Sequence, residues 1–206
     1  MENNFQDKCV AVILSWNTVE ITPLAIDSLL SQSKLPTILV VDNGSKDGTF
    51  EILESKYGEK IEIIRNKKNL GFAGGANTAI KWAKDRGYIY LALLNSDAVA
   101  DKKWIEELHK TINNNSKIGM STSKILKIDG LEIDTTGEEF FSWGLSSPRG
   151  RNEKDKGQYD TPGRVFGGSG GASMYSMDMI NKIGGFDNDF FAYYEDADLS
   201  FRANLT

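Results

Sequence analysis

Four apolar runs, at 10–14, 38–41, 61–64 and 88–94, are separated by stretches whose apolar residues recur at helical spacing. This alternation constrains the fold more than any other feature of the chain. Strands joined through helices pair in parallel, because a parallel pair needs a long crossover where an antiparallel pair needs only a hairpin. The first helix is expected with Thr22 as N-cap and Pro23 at its first position, where the missing N–H costs nothing, followed by Leu24, Ile26, Leu29 and Leu30. The second follows Asp47, carries Phe50, Ile52 and Leu53, and ends near Gly58. The third opens at Gly74 and Gly75, carries Ala76, Ala79, Ile80 and Ala83, and stops at Gly87. The fourth begins after Asp101, with Trp104, Ile105, Leu108 and Ile112 on one face. Beyond Asn115 the pattern changes to short extended pieces around 119–128 and 165–175, and 146–163 reads as a soft polar stretch. One domain over 1–206 is expected, α/β in its first half (about 1–115) and α+β in its second (about 116–206).

In open α/β sheets ligands bind at the carboxyl ends of the strands, so the residues following each run are where chemistry is expected. Ser15, Trp16 and Asn17 follow the first run, and Asp42-Asn43-Gly44-Ser45-Lys46-Asp47-Gly48 follows the second. A strand-end carboxylate can accept from a base N–H or a ribose hydroxyl, although the same residues also make an ordinary turn and helix cap. Asn69, Gly71, Gly74, Gly75 and Asn77 form a glycine-rich helix start after the third run. Such a start can present backbone N–H groups to a nucleotide, or can serve close packing. No Gly-Lys-Ser or Gly-Lys-Thr is present, which excludes a Walker loop, and the dinucleotide fingerprint does not fit. After the fourth run come Asn95, Ser96 and Asp97. Asp97 suits a hard cation shared with substrate phosphates, or a turn. Farther on, Gly167-Gly168-Ser169-Gly170-Gly171-Ala172 precedes an extended segment, and Glu195, Asp196 and Asp198 follow a run of aromatic residues. Crowding like charges raises a carboxylate pKa, as a general base requires, while acids also favour a helix start.

Composition narrows the partners. A formal charge of -5 and a pI near 5.0 argue against non-specific nucleic-acid binding, which needs a cationic surface. The single cysteine, Cys9, cannot form an internal disulfide and points to a reducing, cytoplasmic setting. No apolar run approaches the roughly 18–20 residues that cross a bilayer, and the N-terminus lacks a basic leader with an apolar segment.

Read together, the motifs at 15–17, 40–49, 69–77, 93–97 and 194–199 resemble family 2 glycosyltransferases of the GT-A fold, especially the rhamnosyltransferase-like branch. The resemblance runs from Val10 to Arg202. It implies a Rossmann-like, mainly parallel sheet flanked by helices, with a smaller mixed β portion on the acceptor side. It implies an inverting transfer from a UDP- or dTDP-sugar to a saccharide or lipid-linked saccharide hydroxyl, in cell-surface polysaccharide assembly at the cytoplasmic membrane face. Donor contacts would come from Ser15, Trp16, Asn17, Asp42, Asn43, Ser45, Asn69, Gly71, Gly74, Asn77, Asn95, Ser96, Asp97, Gly171 and Ala172. Asp97 would hold magnesium or manganese, Asp196 would be the base, and Glu195 and Asp198 would support it. Asn95 stands where many members carry Asp, leaving Asp97 as the principal protein ligand of the metal. The chain ends at Thr206 inside a helical pattern that members continue, so the acceptor half is expected to be incomplete.

His109 reads as a solvated surface residue, Trp82 and Trp104 as helix packing, and Phe140, Phe141 and Trp143 as core, with stacking on an acceptor sugar as the alternative. Arg149 and Arg151 read as a solvated basic loop, with diphosphate contact as the alternative. A nucleotide-sugar-binding fragment without catalysis remains open, as does, less favoured, a nucleotidyltransferase, which would carry a basic Gly-rich loop where Ser15-Trp16-Asn17-Thr18 stands.

Overall fold

A computed structural model describes residues 5–206 of the chain. Its centre is a six-stranded sheet of β1 (Cys9–Ser15), β2 (Thr37–Asp42), β3 (Glu62–Arg65), β4 (Tyr90–Asn95), β5 (Met120–Thr122) and β10 (Ala172–Ser176), in the order β3-β2-β1-β4-β10-β5. The first four strands are parallel, as their alternation with α1 (Thr22–Leu30), α2 (Thr49–Tyr57) and α3 (Gly71–Asp85) requires, and β10 runs antiparallel to both neighbours. Two small ribbons, β6 (Ile125–Leu126) with β7 (Ile133–Thr135) and β8 (Glu138–Phe140) with β9 (Ser146–Pro148), supply the expected mixed portion.

Both faces of the sheet are covered, which explains why its strands read as continuous apolar runs. Ala11, Ile13, Val40 and Ala92 face Ala25, Ile26 and Leu29 of α1 and Trp104, Ile105 and Leu108 of α4 (Trp104–Asn113). Val10, Val12, Leu39 and Leu93 face Ala73, Ala76 and Ala79 of α3, Ile180 of α5 (Met177–Ile183) and Leu199 of α6 (Glu195–Asn204). Ile13 is fully buried, so truncating such a side chain to alanine costs about 2–5 kcal/mol.

Several expectations change. Thr22 is inside α1, not its cap; it is buried, and its hydroxyl bonds Ser15 Oγ (3.1 Å) and Thr18 Oγ1 (2.8 Å). α3 opens at Gly71, earlier than Gly74. The 146–163 stretch is tied rather than soft: it supplies β9, a bridge from Lys154 to Glu132, and Asp155 and Asp160, each 2.6 Å from Lys124 Nζ. His109 is not solvated; it is half-buried between the edges of Phe5 and Tyr90, at 4.9 and 4.8 Å, and burial lowers its pKa. Trp82 and Trp104 pack as expected, whereas Trp143 lies outside the core with 68% of its surface exposed.

Candidate active site

Register aligns the strand ends. Ser15 pairs with Asp42, Asp42 with Arg65, and Leu14 with Asn95, so the motif residues of β1, β2 and β4 share one edge of the sheet. Between β1 and β4 the strand order reverses direction, the place where doubly wound sheets open a crevice.

The loops after β1 and β2 are stitched together. Asn17, at φ 53°, donates its N–H to Ser45 Oγ (2.9 Å) and accepts from Lys46 N at Oδ1 (2.9 Å). Trp16 beside it is 52% exposed and free to lie against a ligand, whereas Asn17 and the buried Ser45 shape the loops. Asp42 is fully buried. Its Oδ1 accepts from Ser45 N (3.2 Å), while Oδ2 faces Arg65 Nε at 3.2 Å without hydrogen-bond geometry and has no other partner. Arg65 also bonds Ser45 O (2.9 Å) and Glu51 Oε1 (2.7 Å) and lies over Phe50. A cavity of about 370 Å³ opens here, lined by Gly44, Ser45, Lys46, Arg65, Asn66 and Lys67. Arg65 has no counterpart among the sequence expectations; only the β2/β3 register brings it to Asp42.

At the glycine-rich start of α3 three backbone N–H groups already have partners, which fits the close-packing reading of this segment. Leu70 N donates to Asn43 Oδ1 (3.2 Å), Gly71 N to Asn69 Oδ1 (2.8 Å) and Ala73 N to the Phe191 carbonyl (3.2 Å). Gly71 has φ 73°, and a Cβ there would overlap the Phe191 carbonyl; Gly74 packs against Leu70. Asn77 donates to Phe186 O (2.7 Å) and Asn188 Oδ1 (2.9 Å) and accepts from Phe186 N (3.0 Å). Asn43, Asn69, Gly71, Gly74 and Asn77 therefore brace the helix start and the 186–191 segment against each other.

At the end of β4, Asn95 N donates to Gly171 O (2.9 Å), and Asp97 is exposed, with no side-chain hydrogen bond or ion pair among the described residues. Ser96 is half-buried and Ala172 is buried in β10. Gly170, next to Gly171, donates its N–H to Asp196 Oδ2 (3.1 Å). This glycine pair thus connects the β4 end carrying Asp97 with the carboxylate at the start of α6. No group of three His, Cys, Asp or Glu that could hold a metal occurs among the described residues. A lone accessible carboxylate fits a hard cation whose remaining oxygens come from water and phosphates, not an all-protein cage.

The approach to α6 is strained. Phe191, Tyr193 and Tyr194 all have positive φ (57°, 74° and 68°), uncommon for bulky residues and clustered in proteins at working sites. Glu195 is 6% exposed, its Oε2 has no partner, and burial, reinforced by the charge of Asp196, pushes its pKa to about 7. Asp196 is held by Gly170 N and by Ala197 N (2.8 Å). Asp198 pairs with Arg202 (2.7 and 2.8 Å), whose guanidinium also bonds the Ile183 and Gly185 carbonyls, so it anchors α6. A fourth acid was not anticipated. Glu138 on β8 is buried, accepts from Ser146 Oγ (2.6 Å), and has its pKa raised by burial and by the charge of Asp196.

Residues 10–184 match the model of "Glycosyl transferase family 2". A low-salt glycan biosynthesis hexosyltransferase of Haloferax volcanii, Agl10, is 27% identical over 176 residues, 83% of this chain and 54% of that protein. WfgD of Escherichia coli, a UDP-Glc:alpha-D-GlcNAc-diphosphoundecaprenol beta-1,3-glucosyltransferase, is 32% identical over 124 residues, 59% of this chain and 42% of its own. The chain thus spans about half the length of such relatives or less. Among solved structures, mannosyltransferase PcManGT from Pyrobaculum calidifontis, in complex with GDP-Man and Mn2+, superposes with a TM-score of 0.68 at 13% identity, over 95% of this chain and 51% of that one.

Proposed function

Because the chain belongs to glycosyl transferase family 2, we propose that it carries the catalytic site of an inverting glycosyltransferase that moves a hexosyl or rhamnosyl unit from a UDP- or dTDP-sugar to an acceptor hydroxyl. The observation that carries the reading is the Gly170-Gly171 link, which ties an accessible carboxylate at a strand end, Asp97, to a braced carboxylate, Asp196, at the end of a strained segment.

In this reading Asp42 Oδ2, buried without a hydrogen bond, accepts from the base or ribose of the donor, and Trp16 covers it. Asp97 would be the residue that holds magnesium or manganese; manganese accompanies GDP-mannose in the Pyrobaculum neighbour. The cation supplies charge neutralisation on the departing nucleoside diphosphate. Asp196 takes the proton of the acceptor hydroxyl as that oxygen bonds the anomeric carbon from the side opposite the leaving group, inverting the configuration. Glu195, pushed to about 7, is mostly protonated at mildly acid pH and keeps a second negative charge away from the base, while Asp198 fixes α6. In this reading the described residues up to about 115 belong to the donor half and those from about 116 to the acceptor half. The acceptor is a saccharide or lipid-linked saccharide, as the name of the Escherichia coli relative states for that enzyme, in polysaccharide or glycoconjugate synthesis. The reading places contact with a lipid-borne acceptor at the cytoplasmic membrane face; no helix among the described residues is long and apolar enough to cross a membrane.

The test is thermal stabilisation by UDP, dTDP and GDP, each with and without manganese, joined to a transfer assay. Ligand bound only to the folded state must raise its stability. Asp97→Asn should remove the manganese-dependent part of the shift. Asp196→Asn should keep the shift and lower turnover by roughly 10²-fold or more. Turnover retained in Asp196→Asn would take the base role from it, and no shift with any nucleotide at millimolar concentration would overturn the reading.

A further inference from the structure

A second cavity, of about 380 Å³, lies on the α6 side of the molecule, lined by Glu138, Phe140, Phe141, Arg149, Arg164 and Phe166 among others. Its walls are built from the β8–β9 ribbon and the 164–166 segment. Phe140 stacks on Phe166 (4.7 Å, 23°) and leans on Phe201 of α6 (5.6 Å). Phe141 stacks flat on the exposed Trp143 (4.6 Å, 3°). Phe140, Trp143 and Phe201 remain 39%, 68% and 44% exposed at this place, an apolar patch of the kind that marks an interaction site. Arg149 and Arg164 line the same cavity. Arg149 is held by Thr136 Oγ1 (3.1 Å) and by the Tyr159 ring (4.4 Å), with Glu139 at 4.0 Å. Arg164 bonds only Asn204 Oδ1 (3.4 Å) and has no carboxylate within 4.0 Å among the described residues. Glu138 is the inner polar group, 7% exposed.

The cavity adjoins the proposed base. Glu138 N donates to Gly167 O (2.9 Å) and Phe166 N to Glu138 O (3.0 Å), and three residues beyond Gly167 the same segment holds Asp196 through Gly170 N. The wall combines aromatic faces for the C–H face of a pyranose, a carboxyl for its hydroxyl edge, and a guanidinium without an acidic partner. The volume lies at the small end of the roughly 300–1,000 Å³ of ligand cavities, enough for one sugar unit with a charged substituent.

We propose that this cavity is an acceptor subsite that binds a sugar unit bearing a phosphate, with Phe140 and Phe166 against the ring, Glu138 on a hydroxyl and Arg164 on the phosphate. It rests on the glycosyltransferase reading for its role, but not for its binding. Glucose 1-phosphate, glucose and inorganic phosphate serve as probes in saturation-transfer NMR on the wild-type chain, Arg164→Gln and Phe140→Ala. Arg164 is exposed and makes one weak contact, so its variant keeps the fold even if Phe140→Ala does not. Glucose 1-phosphate should bind more tightly than either glucose or phosphate, and at least fivefold more weakly to Arg164→Gln than to the wild type. Glucose binding should not respond to Arg164→Gln. Nucleotide stabilisation, measured on the same samples, should be the same in all folded variants. Equal glucose 1-phosphate binding by wild type and Arg164→Gln, or none at all, overturns the subsite while a retained nucleotide shift leaves the transferase standing. Loss of the nucleotide shift in the wild type sinks the transferase and leaves sugar-phosphate binding to be judged on its own readout.

Discussion

Asp42 is where burial and charge meet most severely. Its side chain has no exposure, and Oδ2 faces one cation, Arg65. Breaking a buried pair by removing one partner strands the other charge, which typically costs about 3–5 kcal/mol. Arg65 is 40% exposed, so the lower end applies: Arg65→Met should destabilise the fold by about 3 kcal/mol in urea titration at pH 7. Glu51→Gln, which breaks the exposed arm of the same arginine, should leave the midpoint unmoved; a comparable loss there would mean that the network as a whole, not the buried carboxylate, sets the energy. The strand-end acids were legible in the sequence because each closes an apolar run. Their partners were not. Arg65 reaches Asp42 through sheet register, Glu138 reaches the vicinity of Asp196 through a ribbon of three-residue strands, and neither register nor ribbon leaves a local pattern. The raised pKa expected among the crowded acids lies on Glu195, because side-chain burial at the start of α6 is decided by packing rather than by the order of acids.

Elements longer than about five residues with clear periodicity were placed correctly, and their ends were not always. α3 starts at Gly71 rather than Gly74 because a tertiary contact, the Phe191 carbonyl accepting from Ala73 N, extends the helix beyond what the glycines alone would favour. Nor does anything in Phe191, Tyr193 and Tyr194 announce positive φ; all three disfavour it, and only the fixed ends of the segment impose it. This joint makes Gly71 a position where backbone geometry and close approach coincide. Gly71→Ala should cost at least about 3 kcal/mol, combining roughly 1–2 kcal/mol for a left-handed alanine with the displaced Phe191 carbonyl. Gly87→Ala is the matched control: φ is 76° and nothing lies within 4 Å of its Cβ, so only the conformational cost of about 1–2 kcal/mol applies. Equal losses for the two variants in urea titration would show that the α3 start is not braced by the 191 carbonyl.

At the scale of the whole molecule, two half-hidden titrations oppose each other. Glu195 has a folded pKa of about 7 against an ordinary 4.5, so between these values the native state holds the extra proton. Its contribution to stability is present below about 4.5 and is lost as pH rises through 7. Burial of Glu138 acts in the same direction. His109, between Phe5 and Tyr90, has its pKa pushed below 6.5, so the unfolded chain holds more protons; its contribution is present above 6.5 and is lost as pH falls through the lower folded value. The slopes have opposite sign across roughly pH 5–7, and the wild-type stability curve is flattened there. Glu195→Gln removes a declining limb, so relative to wild type it should gain stability as pH rises from 5 to 8, by at most about 3 kcal/mol given a shift of this size. His109→Gln removes the rising limb, and its stability should fall more steeply with pH than the wild type's over the same range. Urea titrations of the three proteins at pH 5, 6, 7 and 8 decide this. Parallel curves for wild type and Glu195→Gln would mean that Glu195 is ionised in the native state throughout, and with it would go the picture of a neutral acid beside Asp196.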